Sequence, residues 1–154
     1  MTRPVAPFDT RRDLVALLPR LRRLALTLAG RVEEADELVR TACSMAIGKD
    51  WAKDRHSRPE AWLFQLVSSL SAGRTAHSGT EDRAVGNPLV TRRGMVLGIT
   101  RDQAAAFLLV EVEGFSYAEA ADILATSTDS IATDLCDARL CFADLRPAPS
   151  ERRA

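Results

Sequence analysis

The chain is poor in the residue types that metal sites, disulfide frameworks and catalytic centres use. Among 154 residues it has three cysteines, Cys43, Cys136 and Cys141, and two histidines, His56 and His77. An odd number of cysteines with no paired spacing argues against a disulfide framework or a zinc site. Both histidines stand alone in polar stretches, and the sequence has no Ser/His/Asp, metal-ligand or phosphate-loop spacing. We therefore expect a protein that is not an enzyme and that holds neither a metal nor a cofactor.

Long apolar runs and aromatic residues are also scarce. No apolar stretch approaches the roughly 20 residues that span a bilayer, and the N-terminus lacks the pattern of a secretory signal. We therefore expect a cytoplasmic protein without a membrane partner. Hydrophobic residues make up 46% of the chain but aromatic residues only 5%, so the core must be built mainly from Leu, Val and Ala.

Apolar residues recur at helical spacing in three segments of the first half. The first segment follows Asp13, a helix cap, and contains Pro19, which predicts a kink or a helix start near Leu18. The second spans 32–47 and has acidic residues in its first turn, where they suit the helix dipole. The third follows Pro59, a residue suited to the first turn of a helix. The apolar positions of the first segment are Leu14, Leu17, Leu18, Leu21, Leu24, Ala25 and Leu28.

The middle of the chain separates two helical regions. Residues 77–98 are rich in Gly, Ser, Thr and Arg, which predicts a linker between domains at 11–76 and 99–146. Apolar residues between 88 and 96 could add a short helix or pack on a domain. Together these patterns predict an all-α protein with two small helical domains.

Two short helices joined by a tight polar turn are predicted after Gly114. A glycine at a helix C-terminus can adopt the left-handed conformation without steric cost, and Ser116 with Glu119 forms a capping box for the next helix. Residues 125–128 turn the chain. The second helix has apolar residues at spacings of four and three, which are Ile131, Leu135 and Ala138. This arrangement predicts a helix-turn-helix, although an αα-hairpin of any all-helical domain would share the pattern.

Specific strings favour the first of these interpretations. Glu113-Gly-Phe-Ser-Tyr-Ala-Glu-Ala-Ala-Asp-Ile-Leu124 resembles the start of region 4, the C-terminal DNA-binding module of extracytoplasmic-function sigma factors. Three N-terminal segments are similar, in order and spacing, to region 2 of the same family. They are Leu17-Leu-Pro-Arg-Leu-Arg-Arg-Leu-Ala25 followed by Gly30, Ala35-Asp-Glu-Leu-Val39, and Arg58-Pro-Glu-Ala-Trp-Leu-Phe64.

The resemblance implies two binding surfaces. In the family, region 2 grips core RNA polymerase and opens the −10 promoter element. Carried over to this chain, the polymerase-binding segment is Ala35, Asp36, Glu37, Leu38, Val39 and Arg40. The residues left to contact promoter DNA are Arg74, Ser130, Thr133 and Arg139.

The predicted recognition helix departs from the family pattern where it should carry cations. Ala132, Asp134 and Asp137 occupy positions that are usually basic, Asp129 opens the helix, and only Arg139 remains. Because neutralisation of phosphates by Lys and Arg supplies most non-specific DNA affinity, we expect DNA binding to be weak. The acidic substitutions are Asp129, Asp134 and Asp137.

Two further positions depart from the family pattern. Ser68 and Ser69 stand where the third helix usually has Arg and Asn. Ala125 replaces the usual turn glycine, at some conformational cost.

Charge is distributed unevenly although the formal net charge is zero. Residues 101–146 hold nine acidic and three basic residues, whereas residues 1–100 hold 16 basic and 11 acidic residues. An acidic surface can attract a basic partner and steer its approach. A merely solvated face is the alternative.

These observations lead to one main hypothesis and two alternatives. The main hypothesis is a sigma-like regulator of transcription that binds core RNA polymerase, an anti-sigma factor or a second regulatory protein, with weak promoter binding of its own. One alternative is a fully working sigma factor that directs transcription initiation. The other is a sigma mimic, a protein-interaction module with no polymerase or DNA role.

Overall fold

The computed structural model describes residues 10–48, 58–77, 89–90 and 96–144. The predicted all-α fold is confirmed, with six α-helices in this part of the chain. Within these residues, no helix has the length and apolar character needed to cross a membrane. The helices are α1 (Thr10–Ala29), α2 (Val32–Gly48), α3 (Pro59–His77), α4 (Arg101–Phe107), α5 (Tyr117–Leu124) and α6 (Thr128–Asp144).

Helix α1 runs without interruption through Pro19. Of the two predicted effects of Pro19, the helix start near Leu18 is therefore wrong, whereas the kink stays a prediction. Leu18 itself is exposed. Proline removes one backbone hydrogen bond from a helix interior. The helix tolerates that loss because its other apolar positions are buried against α2 and α3. They are Leu14, Leu17, Leu21, Leu24, Ala25 and Leu28.

Helices α1, α2 and α3 form the N-terminal module. Each of the three packs against the other two. Leu38, Leu63, Phe64 and Val67 are almost completely buried in its core. Since Trp62, Leu66 and Leu70 are only partly buried, the face of α3 that carries Leu63 and Val67 is the one that points inward.

Helices α4, α5 and α6 form the C-terminal module, and the predicted capping box of α5 is present. Thr100 forms a capping box with Gln103 at the start of α4, and Ser116 forms one with Glu119 at the start of α5. Helix α4 continues directly into a π-helical segment, Leu108–Val112. Gly114, with a φ of 74°, then reverses the chain, as predicted for a left-handed glycine.

The turn between α5 and α6 contains a strained residue. Ala125 has a φ of 52° and a ψ of 48°, the left-handed conformation. It is the only residue other than glycine with positive φ in the part of the chain that the structure describes. Ser127 then caps α6, because its hydroxyl accepts a hydrogen bond from the amide of Ser130 at 3.1 Å.

A short antiparallel strand pair lies in the predicted linker. Strand β1 (Leu89–Val90) pairs with β2 (Val96–Leu97), with Leu89 opposite Leu97. Of the two alternatives for this stretch, a short helix or packing on a domain, the helix is not formed at these four residues, which adopt extended backbone. Residues 78–88 and 91–95 of the predicted linker, Trp51 and the C-terminal tail after residue 144 lie outside the described residues.

The two modules share one continuous hydrophobic core. Buried residues of α1–α3 and of the segment from Ala105 to Ile131 belong to a single cluster. Helix α5 packs about as extensively against α3 as against α6, and α1 also contacts α4. The domain limits 11–76, 77–98 and 99–146 stay predictions, but the helices on either side of the linker are packed together.

Candidate functional site

Helix α6, the predicted recognition helix, presents an acidic surface. Together with neighbouring residues of α4 and the turn before α6, its N-terminal half lines an open cleft of about 410 Å³. The lining residues are Asp102, Thr126, Asp129, Ser130, Thr133 and Asp134. No group of three His, Cys, Asp or Glu side chains in the described residues is arranged to hold a metal ion. The side-chain groups that line the cleft and can contact another molecule are hydroxyls and carboxylates.

The carboxylates along this surface repel one another. The pKa of Asp134 is raised by partial burial and by the nearby charges of Asp102 and Asp137. Asp137 accepts a hydrogen bond from the side chain of Gln103 at 3.3 Å. No salt bridge within the described residues involves Asp129, Asp134 or Asp137. An approaching polyanion would meet this negative charge directly.

Arg139, the single cation of α6, is already engaged. Both its Nε and its Nη2 donate to Oε1 of Glu111, the Nε at 3.0 Å. This hydrogen bonding to Glu111 raises the pKa of Arg139. A DNA phosphate would have to compete with Glu111 for the guanidinium.

The other predicted DNA contacts are exposed but dispersed. Ser130 and Thr133 lie in the acidic cleft of α6, and the Thr133 hydroxyl donates to the backbone carbonyl of Asp129 at 3.0 Å. Arg74 lies on the exposed surface near the end of α3, in the other module. The structure therefore groups Ser130 and Thr133, places Arg139 beside Glu111, and leaves Arg74 apart. Their DNA-binding roles stay predictions.

The predicted polymerase-binding segment of α2 divides into an inner and an outer face. Ala35, Leu38 and Val39 are buried in the N-terminal module. Asp36 bonds Arg22 at 2.6 Å, which lowers the pKa of Asp36, and Glu37 bonds Arg40 at 2.6 Å. Only Asp36, Glu37 and Arg40 can therefore contact a partner through their side chains, and whether polymerase is that partner stays a prediction.

A buried carboxylate joins the two modules. The Glu113 side chain is only 1% exposed. Its Oε2 accepts from Nε of Arg20 at 2.5 Å, and its Oε1 accepts from Nε and Nη2 of Arg23 at 3.1 and 2.7 Å. A buried carboxylate requires paired charge and satisfied hydrogen bonds, and the two arginines of α1 supply both.

Further ion pairs extend from this contact across the interface. Arg20 also bonds Glu60 at 3.2 Å, and Arg58 lies 3.5 Å from Glu60 and 3.7 Å from Glu119 of α5. We call these charged residues the interface network. Its members are Arg20, Arg23, Arg58, Glu60, Glu113 and Glu119. The network alternates positive and negative charge from α1 through α3 to α5.

Two aromatic rings lie inside the interface network. Phe64 of the N-terminal module and Phe115 of the C-terminal module meet edge to face, with ring centroids 5.1 Å apart. The guanidinium of Arg20 lies 5.5 Å from the Phe64 ring centre, and that of Arg58 lies 5.6 Å from the Phe115 ring centre. These distances fall in the range of favourable cation–π contacts, so the charges and rings hold the modules together as one unit.

Sequence reasoning missed the interface network, although it singled out several members. Arg20 and Arg23 lie off the apolar stripe of α1, and Glu113 begins the string that resembles region 4. One feature of the sequence could have indicated charge pairing between the modules: basic residues are in excess in the first half and acidic residues in the second. That asymmetry fits pairing between the modules, but it does not identify the partners.

Comparisons with known proteins agree with this architecture. Residues 14–68 match the family model for the sigma2 domain of PhyR. Residues 98–139 match the model for the sigma-like domain of the response regulator PhyR. The chain is also 28% identical over 154 residues to the ECF RNA polymerase sigma factor EcfG of Rhodopseudomonas palustris (strain TIE-1), covering 84% of this chain and 80% of that protein.

Two solved complexes share the fold. One is the sigma factor RpoE with the anti-sigma factor NepR from Bartonella quintana, with 24% identity and a TM-score of 0.65 over 89% of this chain and 96% of the other. The other is the PhyRSL–NepR complex from Sphingomonas sp. Fr1, with 22% identity and a TM-score of 0.68 over 96% and 98% of the two chains.

The fold and the two family-model matches support a region 2-like module and a region 4-like module, similar to those of extracytoplasmic-function sigma factors. The resemblance read from the sequence is therefore confirmed. Both matching family models describe modules of PhyR.

Proposed function

We propose that this chain is a sigma-like protein-interaction module that binds an anti-sigma factor of the NepR kind and has little affinity for duplex DNA on its own. The observation that carries the proposal is the surface of α6. Four carboxylates and one arginine lie along this helix, and that arginine is bonded to Glu111. A helix with this charge pattern repels phosphates, whereas a protein partner can satisfy it with basic side chains.

The closed packing of the modules supports a protein partner as well. The interface network fixes α5 against α3, so surfaces of both modules are presented together in one arrangement. A preformed composite surface lowers the entropy lost on binding. NepR is the partner in complexes of two proteins that share this fold, one a sigma factor and one a PhyR sigma-like domain.

The direct test is isothermal titration calorimetry of the purified chain with the NepR proteins of Bartonella quintana and of Sphingomonas sp. Fr1. We expect saturable one-to-one binding to at least one of them with a Kd of about 1 μM or tighter, equivalent to about −8 kcal/mol. In parallel, fluorescence anisotropy with a labelled promoter duplex should detect no saturation at the same protein concentrations. Saturable DNA binding without any binding to either NepR would reject the proposal.

A working sigma factor is the second candidate, because Asp36, Glu37 and Arg40 of the predicted polymerase-binding segment lie on the surface. If this candidate holds, the chain should co-elute with core RNA polymerase, and changing Asp36 and Glu37 together to Lys should abolish co-elution. The matched control changes Glu33 and Glu34 to Lys at the start of the same helix. Core binding that survives the first double change would remove this assignment from α2.

A further inference from the structure

The stability of helix α5 depends on contacts with the N-terminal module, a property separate from the proposed binding of an anti-sigma protein. It has only eight residues, and isolated helices of this length are not stable in water. Its buried residues Ala120, Ala121 and Ile123 belong to the core cluster that both modules share. Much of the packing that stabilises this helix therefore comes from α3, across the interface.

The cap of α5 is tied to the same interface. Glu119 accepts a hydrogen bond from the backbone amide of Ser116 through Oε2, which completes the capping box. Its other oxygen, Oε1, faces Arg58 at 3.7 Å. One carboxylate thus serves both the first turn of α5 and the contact with the N-terminal module.

The segment before α5 is held in the same way. Glu113, Gly114 and Phe115 connect the π-helical segment to α5, and both side chains in this connection are buried in the interface. Glu113 is bonded to two arginines of α1, and Phe115 contacts Phe64. Separation of the modules would remove these contacts and part of the packing of α5 in one step.

We propose that the interface network is an interlock that makes closure of the two modules and the folding of helix α5 a single cooperative event. A molecule that separates the modules would then also loosen the first helix of the helix-turn-helix. Conversely, anything that stabilises α5 would favour the closed arrangement. Such locally cooperative units open as a group below the free energy of global unfolding.

Native-state hydrogen exchange of the whole chain tests the interlock. The variants Glu113→Gln and Arg23→Gln weaken the buried contact, and Arg58→Gln removes the pair with Glu119. The matched control is Arg40→Gln, which breaks an ion pair within α2 and leaves the interface intact. The readout is the exchange rate of amides from Ala120 to Leu124, relative to those of α2, which packs mainly against α1 and α3.

The interlock predicts a graded response. Exchange in α5 should accelerate about a hundredfold or more in Glu113→Gln, about tenfold in Arg23→Gln and about threefold in Arg58→Gln. The α2 amides should keep their rates in Arg23→Gln and Arg58→Gln, and Arg40→Gln should leave α5 unchanged. Arg23→Gln keeps one arginine on Glu113, so this variant remains informative if Glu113→Gln does not fold.

Two outcomes would overturn the interlock. If α5 exchange stays at the wild-type rate in folded Arg23→Gln and Arg58→Gln, α5 is stable without the interface. If α2 and α5 accelerate by the same factor in both variants, the interface contributes only to global stability. Neither outcome depends on whether the chain binds an anti-sigma protein, so the result is separate from that of the proposed function.

Discussion

The acidic side chain at the module interface is buried and paired with arginines, whereas those on helix α6 lie beside other carboxylates. At the interface, Glu113 is buried and bonded to Arg20 and Arg23. On α6, Asp134 lies beside Asp102 and Asp137, and partial burial together with these two charges raises its pKa. The acidic excess of the C-terminal module is therefore partly structural, at Glu113, and partly available on α6 for contact with another molecule.

The largest effect is expected from removal of the Glu113 carboxylate, which is paired with two arginines. Glu113→Ala removes the hydrogen bonds that two partly exposed arginines make to a buried carboxylate, and loss of hydrogen bonds to a charged group typically costs about 1.5–3 kcal/mol. We expect a decrease of that size in the free energy of unfolding, measured by urea denaturation. Glu37→Ala, which breaks an exposed pair in α2, should cost no more than about 1 kcal/mol. Equal losses for the two variants would contradict a structural role for the interface network.

Replacement of acidic residues on α6 by arginine should increase the affinity of the chain for duplex DNA. Asp134→Arg combined with Asp137→Arg removes two repulsive groups and supplies two cations to the face of α6. We expect duplex DNA affinity to rise about tenfold or more at low salt, measured by fluorescence anisotropy.

A control with the same change in net charge separates local from general effects. Glu33→Arg combined with Glu34→Arg alters exposed residues of α2, and it should change DNA affinity much less. If the α6 variant binds DNA more weakly than wild type, its carboxylates take part in base readout. That result would contradict our interpretation of the acidic face.

A substitution in the turn before α6 should raise the free energy of unfolding, by less than the Glu113 substitution lowers it. Ala125 has positive φ, a conformation that is unfavourable for L-residues but not for glycine. We expect Ala125→Gly to raise the free energy of unfolding by about 1 kcal/mol. Ala132→Gly at an exposed position inside α6 should lower it by about 1 kcal/mol. A decrease for both variants in urea denaturation would mean that the turn is not strained.

The smallest expected effect concerns the pKa of Asp134. Because its pKa is raised in the folded state, the folded protein loses stability as pH rises through that pKa. Asp134→Asn removes this loss and should raise the Tm at pH 7. The gain should shrink as the pH falls toward the ordinary pKa of an aspartate. A gain that is independent of pH, measured by thermal denaturation across this range, would argue against the raised pKa of Asp134 as its cause.

Much of the C-terminal module could be predicted from the sequence because its signals are local. The capping box of Ser116 and Glu119, the left-handed Gly114 and the apolar positions Ile131 and Leu135 each depend on residues within a few positions. The conformational cost at Ala125 was also predicted, because this residue replaces the usual turn glycine. The π-helical segment Leu108–Val112 was missed, since no residue pattern in that stretch marks a change from α-helical to π-helical hydrogen bonding.

The interface and the start of α1 could not be predicted in the same way. Arg20 and Glu113 are 93 residues apart in sequence, and each alone resembles an ordinary solvated charge. Pro19 has a local tendency to break a helix, yet packing of Leu14, Leu17 and Leu21 keeps α1 intact. In both places long-range packing decides the outcome. The binding roles assigned to Ala35–Arg40 and to the α6 surface stay predictions, because they concern partners and not the fold.

The most direct test of the central claim is a competition titration. Labelled NepR is titrated with the purified chain and followed by anisotropy, first alone and then with excess unlabelled promoter duplex. We predict saturable binding with a Kd of about 1 μM or tighter that the duplex does not alter. Absence of binding to NepR, or displacement of NepR by the duplex, would contradict the claim that this sigma-like fold acts through protein contacts.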